Sequence, residues 1–171
     1  MRVAHGVISC WAPELVITRG VGFDAEILLA VYESGVQEFR GLWHIPGGYN
    51  QWPELGVQET CSRVAIREIG VDVERIGPPM DDHKWTSDEH PYGHPLSLYC
   101  YCQLKGPVVE SATLRFVRVV DDFPGIVVVP HARFILKNLV KPLGNAAYDH
   151  ISQGENVQRS LAWKLPAKVT A

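Results

Sequence analysis

One stretch constrains this chain more than any other: GLWHIPGGYNQWPELGVQETCSRVAIREIGVD, residues 41 to 72. A short apolar run reaches Pro46 and the pair Gly47-Gly48, which stop a strand. A polar loop follows. Val57, Cys61, Val64, Ala65 and Ile69 then recur at three- and four-residue steps, which predicts a helix from about Val57 to Ile69 with one apolar stripe. Gly56 is an acceptable N-cap and Gly70 a good C-terminal stop. Strand, glycine pair, loop and helix together suit a diphosphate and metal site. Glycine lets backbone approach a ligand and frees a carbonyl for a hard cation, while the helix can aim carboxylates at the same point.

The flanking sequence supplies a domain around this stretch. ELVITRGV (14 to 21), AEILLAVYE (25 to 33), LSLYCYCQL (96 to 104) and ATLRFVRVV (112 to 120) read as strands. HARFILKNLVK (131 to 141) reads as a helix, with Pro130 at its first turn and Pro142 beyond its end. The segment 81 to 97, DDHKWTSDEHPYGHPLS, reads as one polar loop. Strands mixed with two helices predict an α/β domain whose mixed sheet lies between helices. At 171 residues one domain is expected, over 1–143. Residues 144–171 form a tail without periodicity, either disordered or packed on a partner subunit, as in a homodimer.

Composition narrows the function classes. A net charge of -3 argues against a broad nucleic-acid footprint. The N-terminal residues carry no long apolar core, so neither a signal peptide nor a membrane span is expected there. Cys10, Cys61, Cys100 and Cys102 contain no CxxC pair, which favours reduced thiols in a cytoplasmic protein over zinc or disulfides.

LWHIPGG before the helix, with Arg63, Glu68, Gly70 and Val71 in and after it, resembles the box of the Nudix hydrolase family, G-x5-E-x7-R-E-U-x-E-E-x-G-U. The resemblance covers roughly residues 14 to 142 and implies a Nudix-like α/β/α sandwich with a mixed β-sheet. It also shows departures. Val64 and Arg67 stand where two helix glutamates belong, and one extra residue before Arg63 makes Glu54 a shifted match to the early glutamate. A box reduced in this way resembles that of GDP-mannose mannosyl hydrolase, which implies one Mg²⁺, with Mn²⁺ as a substitute, and attack at a sugar carbon.

The resemblance implies metal ligation by the Gly48 carbonyl and the Glu68 carboxylate, and a loop oriented by Arg63 through Glu54. Arg67 replaces an anion by a cation able to grip phosphate bidentately; the bland alternative is a solvated side chain or a pair with Asp72 or another acid. A general base is also needed. His90 and His94 in the 81 to 97 loop, and Glu110 before the strand at 112, are the candidates, each with an ordinary surface role as its alternative. Trp52, Trp85 and Tyr92 are loop aromatics suited to stacking a nucleobase, or else to anchoring their loops in the core. The expected substrate is a nucleoside diphosphate sugar or a related derivative. A non-catalytic nucleotide-binding module of the same fold is the alternative, and an RNA-end hydrolase a weaker third.

Overall fold

Hydrophobic patterning resolves into seven strands and two helices among the described residues: β1 (Trp11–Val16), β2 (Thr18–Arg19), β3 (Glu26–Val31), β4 (Trp43–His44), α1 (Val57–Glu68), β5 (Val73–Lys84), β6 (Leu96–Leu104), β7 (Leu114–Arg118) and α2 (Val129–Ile135). The computed structural model describes residues 10–33, 39–86, 90, 95–121, 123 and 125–144. They fall into two compact units, one within Met1–Ile17 and Pro46–Val108, the other within Thr18–Ile45 and Val109–Ala171. The expected tail lies outside the described residues from position 145 onward.

The first unit is built on a mixed sheet of order β1-β6-β5. β1 runs parallel to β6, from Trp11 opposite Leu96 to Val16 opposite Tyr101, and β5 runs antiparallel on the other side of β6. The alternation in LSLYCYCQL gives β6 its observed bounds. β5 has no such signal, because VERIGPPMDDHK carries a glycine and two prolines. It occupies the sheet edge, where proline's missing N–H costs no ladder bond, and its register shifts between Ile76 and Pro79 and again between Pro79 and Asp81. The expected 81 to 97 loop is therefore corrected at both ends: Asp81 to Lys84 belong to β5, and Leu96 and Ser97 to β6.

The free edge of β1 is where the glycine loop docks. Leu15 N–H donates to the Pro46 carbonyl at 2.7 Å, and Asn50 N–H to the Trp11 carbonyl at 3.0 Å. Gly48 N–H reaches the Pro13 carbonyl at 3.4 Å. Helix α1 packs on β1 and β5 through its predicted stripe, burying Thr60, Cys61, Val64 and Ala65. Burying a side chain such as Val64 contributes roughly 1.5–3 kcal/mol. The helix ends where Gly70 turns left-handed at φ 78°, its N–H bonded to the Ala65 carbonyl at 3.0 Å.

In the second unit β3 is central and wholly antiparallel, with β7 along one edge and β2 and β4 on the other. Ile27, Leu28 and Leu29 are buried along it. The strand expected over 14 to 21 is two strands, since β1 ends at Val16 and β2 pairs with β3 in the other sheet. Helix α2 starts two residues before its expected start, continues as a wider π turn over Leu136–Val140 and ends in a 3-10 turn over Lys141–Leu143. Pro142 has no N–H to continue an α-helical ladder, which accounts for the altered winding. The four cysteines are unbonded thiols, and burial pushes Cys100 up to about 12, well away from thiolate chemistry. No helix among the described residues is long and apolar enough to cross a membrane.

Candidate functional site

The peptide at Gly47 is the point on which charged side chains of the first unit converge. Its N–H donates to Glu68 Oε2 at 3.1 Å, and its carbonyl accepts from Arg67 Nη2 at 3.3 Å. The same Arg67 nitrogen pairs with Glu68 Oε1. Glu14, on β1, lies over the Gly47 α-carbon so closely that an added Cβ would stand 1.8 Å from Glu14 Oε2. A Cβ on Gly48 would stand 2.9 Å from Arg67 Nη2 and 3.3 Å from Val64 Cγ2. Gly47 is thus required by the close approach of a strand carboxylate, whereas the nearest atom to a Cβ on Gly48 is the end of the flexible Arg67 side chain.

Electrostatics at this point are dominated by burial. Glu14 is 5% exposed, and burial pushes its carboxyl up to about 8; the Ser97 hydroxyl, donating at 2.7 Å, opposes the shift, and the Glu68 charge adds to it. Burial also raises Glu68, against the pull of Arg67. Sequence reasoning missed Glu14. The signal was available, since an acid inside the apolar strand WAPELV must be buried and must find a partner. Arg67 takes the adjacent acid as partner, while Asp72 pairs with Lys105 and Ser62.

The loop between the glycines and α1 is tied by Arg63. Its guanidinium pairs with Glu54 and donates to the Tyr49 carbonyl at 2.6 Å, so one side chain grips both ends of the turn. Arg63 holds the Glu54 carboxyl down at about 2, and Thr60 Oγ1 adds a hydrogen bond to it at 2.8 Å. The structure therefore brings Glu54 and Arg63 together, and Gly47, Glu68 and Arg67 together. Trp52, at the tip of this loop, is 94% exposed.

The other sequence candidates are placed differently. Trp85, expected as a stacking platform, is buried, because its indole N–H can satisfy itself on Ser97 Oγ at 2.9 Å. His90 is also buried, its ring against the Tyr49 hydroxyl and edge-on to Trp85, and burial lowers its pKa. Glu110 belongs to the second unit. It accepts from Arg19 and from the Phe116 N–H, and this bond first, then Arg19, lowers its pKa. A carboxylate held in that way is a weak proton acceptor. Tyr92 and His94 lie outside the described residues. Among the described residues no group of three or more His, Cys, Asp or Glu side chains is placed to hold a metal ion.

No protein-family model and no curated protein matches the sequence. Solved structures do. The Nudix domain of Shewanella oneidensis NrtR, complexed with ADP ribose, is 16% identical over 73% of this chain and 82% of that one, with a TM-score of 0.56. A MutT Nudix hydrolase from Burkholderia pseudomallei is 22% identical over 76% of this chain and 97% of its own, at 0.59. The bifunctional NMN adenylyltransferase/ADP ribose pyrophosphatase of Francisella tularensis, complexed with AMP and a manganese ion, is 12% identical over 82% of this chain, at 0.52. Only 44% of that longer protein is matched. At these identities the likeness is one of fold: the chain has the Nudix α/β fold with its mixed sheet.

Proposed function

We propose that this chain is a Nudix-type hydrolase that uses one Mg²⁺, replaceable by Mn²⁺, to cleave a nucleoside diphosphate sugar or a related nucleoside diphosphate derivative. The observation that carries this reading is the convergence of Glu14, Glu68 and Arg67 on the Gly47 peptide. The donor set is all oxygen, which suits Mg²⁺: the Glu68 carboxylate, the Gly48 carbonyl or that of Gly47 next to it, and the Glu14 carboxylate beside them. Burial raises both carboxylates, in Glu68 against the pull of Arg67, and a divalent ion held beside them would favour their charged forms. Substrate phosphate and water would complete the shell. Bound there, the ion would take up charge on the departing diphosphate.

Val64 supports a single ion. It is buried against Gly48 at the place where the family box has a carboxylate, so no second cluster of ligands can form on that face of α1. A single ion suits departure of the whole diphosphate from a sugar carbon, the route implied by the likeness to GDP-mannose mannosyl hydrolase. Arg67 would touch phosphate, and Trp52 would stack the base. His90, kept neutral by burial, is a candidate to accept the proton of water, with His94 as the other; Glu110, held low by the Phe116 N–H and Arg19, is set aside. The ADP ribose held by the NrtR domain belongs to the proposed chemical class.

A panel of nucleoside diphosphate sugars with Mg²⁺, comparing wild type with Glu68→Gln, tests the reading. Free sugar and nucleoside diphosphate, lost in the variant, are expected. Sugar phosphate with nucleoside monophosphate would move the attack to phosphorus. The second reading, a binding module without turnover, is favoured by one feature, the pairing of Glu68 with Arg67. Binding that survives Glu68→Gln with no product formed would select it.

A further inference from the structure

We propose that Arg67 is a built-in counter-ion that excludes a divalent ion from Glu68 until a diphosphate draws the guanidinium away, so that metal and nucleotide bind synergistically. The inference rests on the one-metal reading above. Consecutive helical residues point about 100° apart, so Arg67 and Glu68 meet only if both are drawn to a common point. That point is Gly47. Glu68 takes its N–H at 3.1 Å, and Arg67 Nη2 takes its carbonyl at 3.3 Å while also pairing with Glu68 Oε1. The guanidinium thus bridges a carboxylate oxygen and a carbonyl oxygen, the two kinds of donor a metal would need here.

A guanidinium already seated on those oxygens opposes a divalent ion there, because like charges repel steeply at contact distance. Gly48 provides the clearance for the guanidinium, since a Cβ there would press on Nη2 at 2.9 Å. The arginine is also free to leave. Its side chain is 49% exposed, and a diphosphate offers the planar, bidentate acceptor that guanidinium prefers. Arg63 cannot substitute for it, because its guanidinium is already committed to Glu54 and the Tyr49 carbonyl. When Arg67 moves to phosphate, the Glu68 and Gly47 oxygens open at the moment new phosphate oxygens arrive.

Mn²⁺ titrations followed by electron paramagnetic resonance test this, on wild type, Arg67→Ala and Arg67→Gln, each with and without ADP or GDP. The ion that either nucleotide holds in free solution is subtracted. Wild type is expected to bind Mn²⁺ weakly alone and more tightly with nucleotide, by about 5- to 150-fold, the usual span of coupling between two ligands. Both variants are expected to bind Mn²⁺ alone more tightly than wild type and to lose most of that coupling. Wild type that binds Mn²⁺ equally well without nucleotide, or variants with unchanged Mn²⁺ affinity, would overturn the inference and leave the hydrolase reading intact. No Mn²⁺ bound by any of the proteins under either condition would overturn both.

Discussion

Glu14 is the residue on which the fold and the candidate chemistry conflict most directly. An unfolded glutamate ionises near its ordinary value of 4.5, but the folded carboxyl holds its proton up to about 8. Between those values the folded state binds the extra proton, so stability falls as pH rises through the window. The full difference is on the order of 4–5 kcal/mol. Glu14→Gln keeps an acceptor for the Ser97 hydroxyl and removes the titration. Urea unfolding at a series of pH values should show the variant gaining on wild type from pH 5 to pH 8. A constant gap between the two proteins would mean that the carboxyl ionises normally in the fold. Glu68 was legible in the sequence because its spacing from Gly70 fits a known pattern. Glu14 was legible only as an acid inside an apolar strand; its partners Ser97 and Gly47 were not, since they are brought to it only by sheet pairing and by the docked loop.

Within α1 the division between a buried and an exposed face decides what the helix can carry. The stripe through Cys61, Val64 and Ala65 was readable because burial imposes a period on a helix. Strand β5 was unreadable because Pro78, Pro79 and three register shifts break the alternation that marks a strand. Restoring the family carboxylate by Val64→Glu should not restore a metal cluster. It would bury a second carboxylate beside Gly48, competing with Glu68 for the one guanidinium of Arg67, at a cost on the order of several kcal/mol. Ile66→Glu, on the exposed face of the same helix, should change stability by no more than about 0.5 kcal/mol. Thermal unfolding of the two variants separates the cases, and a tolerated Val64→Glu would show that α1 can rotate or that water reaches it.

The loop before α1 is an element held by one arginine. Arg63→Ala should raise amide exchange across residues 49–56, because the Glu54 and Tyr49 contacts go together. It should also change the acid limb of stability. Glu54 is held down at about 2, so its contribution is full above the unfolded value of 4.5 and is lost as pH falls toward 2. In Arg63→Ala that loss should disappear from the same pH range. Unchanged exchange in the variant would mean that Thr60 and the backbone bonds fix the loop by themselves.

For the molecule as a whole, a net charge of -3 supplies no long-range pull on a diphosphate, so recognition must come from short-range contacts. The Nudix fold was legible from the resemblance of LWHIPGG, Arg63, Glu68, Gly70 and Val71 to the family box, because that motif is local. The placement of the loop aromatics was not, since burial depends on partners distant in sequence: Trp85 found Ser97, and Trp52 stayed at the loop tip. That difference makes the whole protein's fluorescence informative. Of its five tryptophans, Trp43 and Trp85 are buried in the fold, whereas Trp52 is 94% exposed. A nucleobase stacking on Trp52 should quench the exposed, red-shifted part of the emission. Trp52→Ala should abolish that change and weaken nucleotide binding by about 1–3 kcal/mol, as loss of one stacked base does. Its thermal midpoint should not move, because no packing is lost. Trp85→Ala should behave in the opposite way, lowering the midpoint through the lost packing and the unpaired Ser97 hydroxyl. If quenching survives in Trp52→Ala, the base is bound elsewhere, and the exposed ring has another use.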